Sequence, residues 1–204
     1  MNIAEKDFEK ITKKLIPNLL NINNKNSQLI ITFAGIPSSG KTTIAKRLEK
    51  KYKALRINGD IIYDIAEELG LALDYWDLER IKRNYVLAFL ESNPFKNKLI
   101  ILDKGMDRMY KDFINLCKRN KLNYFIISLS LSKKDAIKRF KKRNPKTWKT
   151  WLTKLGRWSK ENTQFKRDVS SNIVIDANKI NYKEICKEIN KELEKIKNES
   201  KART

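Results

Sequence analysis

Residues 35–42 read Gly35-Ile36-Pro37-Ser38-Ser39-Gly40-Lys41-Thr42, two glycines bracketing four residues, with Lys-Thr directly after. An apolar run, Leu29-Ile30-Ile31-Thr32-Phe33-Ala34, precedes it, and a helical pattern from Thr43 to Tyr52 follows. Strand, glycine-rich turn and helix in that order form a loop whose amides wrap a phosphate chain, with the helix N-terminus adding positive potential. Lys41 is placed to reach the β- and γ-phosphates and the Thr42 hydroxyl to ligate Mg²⁺. Gly35, Pro37, Ser38, Ser39, Gly40, Lys41, Thr42 and Thr43 are the expected nucleotide-binding set.

The rest of the pattern alternates strands and helices. Short strands are expected at 54–57, 99–102, 124–131 and 172–175, the run Leu99-Ile100-Ile101-Leu102 being uninterrupted and apolar, as in a buried parallel strand. Helical spacing recurs at 61–69, at 74–91 (Leu78, Ile81, Tyr85 and Phe89 on one face), from Asp107 as a candidate cap to 120, from Ser132 to Arg143, and from Tyr182 to Ile196. Asn93-Pro94 is a stop signal, and Asp135, three residues after Ser132, completes a capping box. Residues 4–20, with Phe8, Ile11, Leu15 and Leu19 in step, predict an amphipathic helix, and residues 21–27 a polar connector. The tail from Asn198 is expected to fray.

The sum is a single α/β domain over 1–204, a three-layer fold with a parallel β-sheet flanked by helices. Residues 1–27 are its N-terminal helix and connector, and 28–197 its core. Residues 144–168 break the alternation. They carry Trp148, Trp151, Leu152, Leu155 and Trp158 on one helical face, with Lys146, Lys149, Lys154, Arg157 and Lys160 elsewhere. Such an insertion suits either a lid over the site or a structural helix that uses its tryptophans as core.

Composition narrows the chemistry. The chain has no histidine and only two cysteines, Cys117 and Cys186, far apart in helical patterns. Imidazole catalysis is excluded and a zinc site effectively so, and both thiols are expected to be buried. No apolar run approaches a membrane span, and the N-terminus lacks a signal-like segment, so a cytoplasmic location is expected. The net charge of +21 has two readings. It suits a polyanionic partner such as nucleic acid. It also suits the general excess of Lys, Asn and Ile that an AT-rich coding sequence produces.

Ligands of parallel sheets bind beyond the carboxyl ends of the strands. Three pieces converge there: the phosphate loop, Asp60 after the second strand, and Asp103 after the apolar run. Phosphoryl transfer needs phosphates held, Mg²⁺ bridging them, cations facing the developing charge and the acceptor hydroxyl aimed. Asp60 is the candidate base and Asp103 the candidate metal acid; Asp60 as a helix N-cap and Asp103 as a turn residue are the structural alternatives. Arg139 and Arg143, one turn apart, are candidate charge stabilisers, or part of a solvated cationic face. Lys104 and Arg108 lie near enough to bind the acceptor.

On the phosphate loop, Ile57-Asn58-Gly59-Asp60, Ile100-Ile101-Leu102-Asp103, and Ser132-x-x-Asp135 leading to Arg139 and Arg143, the chain resembles the small P-loop kinases of the polynucleotide-kinase and zeta-toxin-like type, a group of AAA-domain kinases. The resemblance covers roughly 28–193, and only the phosphate loop is highly specific. It implies that Asp60 orients or deprotonates the acceptor hydroxyl, that Arg139 and Arg143 lie on the lid side of an ATP site, and that Asp176-Ala177-Asn178 lies near the adenine, which adds Asn178 to the nucleotide set. Many members carry an arginine three residues after the Asp60 position, where it helps bind an anionic acceptor. This chain has Tyr63, followed by Asp64, which argues against a phosphate on the acceptor at that point and against a polynucleotide in particular.

The expected activity is therefore ATP- and Mg²⁺-dependent phosphoryl transfer to a hydroxyl of a small molecule or nucleotide. A 5′-hydroxyl polynucleotide kinase and a non-catalytic nucleotide-binding protein are the alternatives. A guanine-specific N-K-x-D element is missing, and Lys104 stands where motor ATPases place a glutamate beside the metal acid. Both features favour a kinase over a hydrolase.

Overall fold

The computed structural model describes residues 29–92 and 99–202. The expected helix over 4–20, its connector and the Asn93-Pro94 stop lie outside them. The chain order is β1 (Leu29–Ala34), α1 (Lys41–Tyr52), β2 (Leu55–Asn58), α2 (Ile61–Glu68), α3 (Tyr75–Ser92), β3 (Leu99–Gly105), a 3₁₀ turn (Met106–Arg108), α4 (Tyr110–Arg119), β4 (Tyr124–Ser130), α5 (Lys133–Arg143), α6 (Trp148–Asp168), β5 (Ile173–Asp176) and α7 (Tyr182–Lys201). The strands form one sheet in the order β2-β3-β1-β4-β5, and every pair is parallel.

Strand pleating sorts the apolar residues to two faces. Ile30, Ala34, Ile57, Ile100, Leu102 and Ile126 pack with α2, α3 and α4, including Ile62, Val86 and Phe113. Leu29, Ile31, Phe33, Ile101, Ile127 and Ile175 pack with α1 and α7, including Ile44, Leu48, Ile185 and Ile189. β1 is buried along its whole length, as its unbroken apolar run requires. Cys117 and Cys186 are both buried, one on each face.

α5 and α6 build a third, smaller cluster on the phosphate loop: Ile36, Ala136, Phe140, Leu155 and Trp158. The insertion is thus one continuous helix. Trp158 is only 2% exposed, and Trp151 stacks on Phe140 with centroids 6.0 Å apart. The face with tryptophan spacing turns inward as core, with the lysines outside. Ser132 caps α5 as its capping box requires, its Oγ accepting from the Asp135 amide at 3.0 Å.

Two local expectations are corrected. Asp107 caps no helix: it sits in the 3₁₀ turn, and Met109 takes the cap position of α4. Its carboxylate turns instead to the Gly35 amide and the Asn162 side chain. The last helix also continues past Asn198 to Lys201, because Leu193 and Ile196 keep its apolar face on the core.

Candidate active site

The phosphate loop turns between β1 and α1 with positive φ at Gly35 (139°), Ser38 (66°) and Gly40 (99°). A Cβ on Gly35 would meet the Leu129 carbonyl oxygen at 2.6 Å, so only glycine fits that position. Lys41 folds over the turn, its ammonium donating to the carbonyls of Gly35 (2.6 Å) and Ile36 (2.9 Å). Burial is the main cause that lowers the Lys41 pKa to about 8. Asp107 and Asp103 act against it, while Arg108 and Lys82 add to it.

Asp107 fastens the turn from below. The Gly35 amide donates to its two oxygens at 3.0 and 3.2 Å, and the Asn162 side chain of α6 donates to the same carboxylate at 3.0 Å. The inserted helix is thereby tied to the phosphate loop through one buried carboxylate. Neither Asp107 nor Asn162 was picked out for this role from sequence, because the contact spans 72 residues and no local motif marks it.

Asp103 stands at the end of β3, buried, with Thr42 beside it. The Thr42 hydroxyl donates to Oδ1 at 3.0 Å, and Arg56 donates to Oδ2 at 2.9 Å. Glu49 in turn accepts from Arg56 at 2.7 Å. Desolvation raises the Asp103 pKa, opposed by Thr42 and Arg56. Because the threonine proton is committed to Asp103, its oxygen lone pairs remain for a cation. Mg²⁺ on a nucleotide uses one or two protein oxygens, the rest coming from phosphate and water. This donor set fits that demand. Among the described residues no cluster of three or more acidic, histidine or cysteine side chains offers a self-contained metal cage. Arg56 was missed in sequence; the signal was a lone charge inside a four-residue strand.

Asp60 lies at the head of α2 and makes no capping hydrogen bond. It is ion-paired at 2.5 Å to Lys82 of α3, and its side chain is 62% exposed while that of Lys82 is buried. β2 and β3 align Asn58 with Asp103, so Asp60 stands at the same strand-end edge as the metal acid. A Cβ on Gly59 would lie 2.5 Å from Lys82 Cε, so the bare glycine is what lets the lysine pass beneath Asp60.

Behind Asp60 lies a cluster that sequence spacing did not reveal. Glu79 of α3 accepts from Tyr63 Oη (2.5 Å) and Arg108 (2.7 Å), with the ammonium groups of Lys82 at 3.5 Å and Lys104 at 3.9 Å. Desolvation works to raise the Glu79 pKa, but Lys82, Lys104, Arg108 and the Tyr63 hydroxyl together hold it at about 2. Lys104 and Arg108, expected near the acceptor, are both here.

The two candidate arginines separate. Arg139 bridges the phosphate loop and the segment after β5, donating to the carbonyls of Ser38 (2.9 Å) and Ala177 (2.7 Å) and to Asn178 Oδ1 (3.0 Å). Asn178 is thereby placed beside the loop. Arg143 is exposed in the last turn of α5 and enters none of these contacts. Pro37, Ser38, Ser39 and Gly40 form the turn, Ser39 fully buried; Thr43 is exposed in the first turn of α1.

A parallel 2-3-1-4-5 sheet with this loop on its central strand defines the P-loop NTPase fold. The chain belongs to the AAA domain family, whose model AAA_18 matches residues 31–166. No curated protein matches it in sequence. Among solved structures it is similar in fold to a shikimate kinase from Aquifex aeolicus, with TM-score 0.53 and 18% identity over 79% of this chain and 96% of the other. A gluconokinase from Sinorhizobium meliloti 1021 gives TM-score 0.51 and 15% identity over 87% and 99%. The PezAT toxin-antitoxin structure from Streptococcus pneumoniae gives 0.57 and 13% over 88% and 81%. No described helix is long and apolar enough to cross a membrane.

Proposed function

We propose that the chain is an ATP- and Mg²⁺-dependent phosphotransferase acting on a hydroxyl of a small molecule or nucleotide, a P-loop kinase. The observation that carries this reading is the pairing of Asp60 with Lys82 at the strand-end edge that also holds Thr42 and Asp103. The Asp60 carboxylate is exposed enough for an acceptor hydroxyl to reach it, whereas Asp103 is buried and occupied on both oxygens. The kinases among the fold neighbours agree with this reading.

In the reaction, the phosphate loop and Lys41 hold the β- and γ-phosphates. Thr42 and Asp103 would hold Mg²⁺, which would neutralise phosphate charge. Asp60 accepts the proton of the acceptor hydroxyl as its oxygen bonds to the γ-phosphorus and the bond to the β-phosphate oxygen breaks, releasing ADP. Arg139 fixes the loop and the segment at Asn178 rather than meeting the phosphoryl group. Lys104, in the place of a water-polarising glutamate, favours an acceptor other than water.

The test is transfer from γ-labelled ATP to a panel of nucleosides, sugars, amino-sugar antibiotics and 5′-hydroxyl oligonucleotides. Transfer to one class, lost with Asp60→Asn while ATP binding persists, supports the reading. Equal transfer by Asp60→Asn removes Asp60 from the chemistry. Label moving only to oligonucleotide ends favours the polynucleotide-kinase subtype, and binding without transfer favours a non-catalytic role.

A further inference from the structure

The basic pocket behind Asp60 sets Lys82, Lys104 and Arg108 around Glu79, with Asp60 and Glu161 at its margins. Lys82 and Lys104 are 6% and 7% exposed, and Arg108 is partly buried beside them. All three face one carboxylate, Glu79. Lys82 also serves Asp60, and Arg108 also meets Glu161 of α6 at 3.1 Å. Lys104 has the weakest position: its nearest carboxylate oxygen is 3.9 Å away, outside hydrogen-bond range. A buried ammonium without a close anion is costly unless another negative group reaches it.

A fourth cation closes the outer side. Lys154 of α6 lies 3.6 Å from the centre of the Tyr75 ring, whose hydroxyl accepts from Arg108 at 3.1 Å. Tyr75 also packs edge-on to Trp158, giving the pocket an aromatic wall. Arg108 meets Tyr75 and Glu79 through Nη1 and Glu161 through Nε, so Nη2 is the end of its guanidinium left to meet a further anion.

We propose that Lys104, Arg108 and Lys154 form an oxyanion pocket for the acceptor, so that the phosphoryl acceptor is a small hydroxy compound carrying a carboxylate or phosphate group within a few ångströms of the hydroxyl. The inference rests on the kinase reading. It also replaces the expectation drawn from Tyr63: the cation missing one turn into α2 is supplied from β3, the 3₁₀ turn and α6. Tyr63 is not a ligand here; its hydroxyl is committed to Glu79.

The test separates binding from transfer. The full chain is first saturated with Mg²⁺ and a non-hydrolysable ATP analogue, which fills the phosphate loop. Inorganic phosphate, acetate and glycerol are then titrated by calorimetry. Phosphate or acetate binds and glycerol does not. Lys104→Met and Lys154→Met each weaken that binding by about tenfold or more, while Lys187→Met, on the opposite face of the sheet, leaves it unchanged. The stronger of the two anions identifies the acceptor's group. Lys154 is half-exposed, so its variant remains informative should Lys104→Met not fold. Anion binding equal in parent, Lys104→Met and Lys154→Met overturns the proposal, as does transfer that prefers neutral acceptors and is unaffected by Lys154→Met. In that last case the kinase reading survives. Lysine-dependent anion binding with no transfer to any acceptor leaves the pocket standing and removes the kinase reading instead.

Discussion

One oxygen of Asp107, Oδ1, accepts from both the Gly35 amide and the Asn162 side-chain amide, each at 3.0 Å. A backbone group of the phosphate loop and a side chain of α6 thus depend on one buried acid. Substituting Asp107 by Ala leaves two buried donors unpaired. A loss of about 2–4 kcal/mol of stability follows, together with weaker nucleotide binding, because the loop loses its anchor. Asn162→Ala removes only the outer donor and costs about 1–2 kcal/mol. Urea unfolding and ATP titration of the two variants check the order.

Glu79 gives the fold a dependence on acid. Its pKa is held at about 2 against an ordinary value of 4.5. Between those values the unfolded chain binds a proton that the folded chain does not, so stability falls as pH drops from 4.5 toward 2. The group contributes about 3 kcal/mol above that window. In Glu79→Gln that part of the acid limb flattens, and the variant is less stable at neutral pH because three cations lose their common partner. Denaturant melts at a series of pH values show both effects.

Lys41 gives a dependence of the same sign at the alkaline end. Its pKa is lowered to about 8 from 10.5, mainly by burial. From 8 to 10.5 the unfolded chain holds the extra proton, so the lysine's contribution to stability rises with pH across that range. Phosphate binding needs the protonated amine, so ATP affinity declines as pH rises above about 8. Lys41→Met weakens ATP binding by roughly 30- to 150-fold and removes this pH dependence. Calorimetric titration from pH 7 to 10 is the measurement.

Arg139 and Arg143 are expected to diverge despite sharing a helix. Arg139→Ala breaks three hydrogen bonds that join the phosphate loop to Ala177 and Asn178. ATP affinity falls about tenfold. Arg143→Ala, at an exposed position, changes stability and affinity by less than about 0.5 kcal/mol. Equal effects would remove the distinction drawn between them.

Gly59→Ala tests the route of Lys82. The new methyl would occupy the place of Lys82 Cε, 2.5 Å away, and the flexible lysine is the partner that must move. Asp60 then loses its cation. Transfer slows while the fold and ATP affinity hold, and the two are read by labelled-ATP turnover and melting.

Local chemistry carried the legible part of this molecule. The phosphate loop, the capping box at Ser132 and the buried runs of β1 and β3 each announce themselves within a few residues, and the alternation of strands and helices then sets the sheet. That Asp60 and Asp103 share one strand-end edge could be read because each follows a strand of a parallel sheet. What stayed hidden depends on contacts across long stretches of chain. Arg56 on Asp103 spans 47 residues and Asp107 on Gly35 spans 72. Glu79 looked like one more charge on an amphipathic helix. Asp107 was assigned to the nearest helix start because local signals compete only with local signals, and its partners lay elsewhere.

β3 places Asp103 and Lys104 on consecutive residues, and pleating sends them to opposite faces, one toward Thr42 and the other toward Glu79. Their Cα atoms are therefore held about 3.8 Å apart by a single peptide unit. The metal side and the acceptor side share a covalent ruler that no hinge can stretch. A one-residue insertion in the strand before Asp103 would move its carboxylate to the Lys104 position, among the lysines, and leave Leu102 beside Thr42.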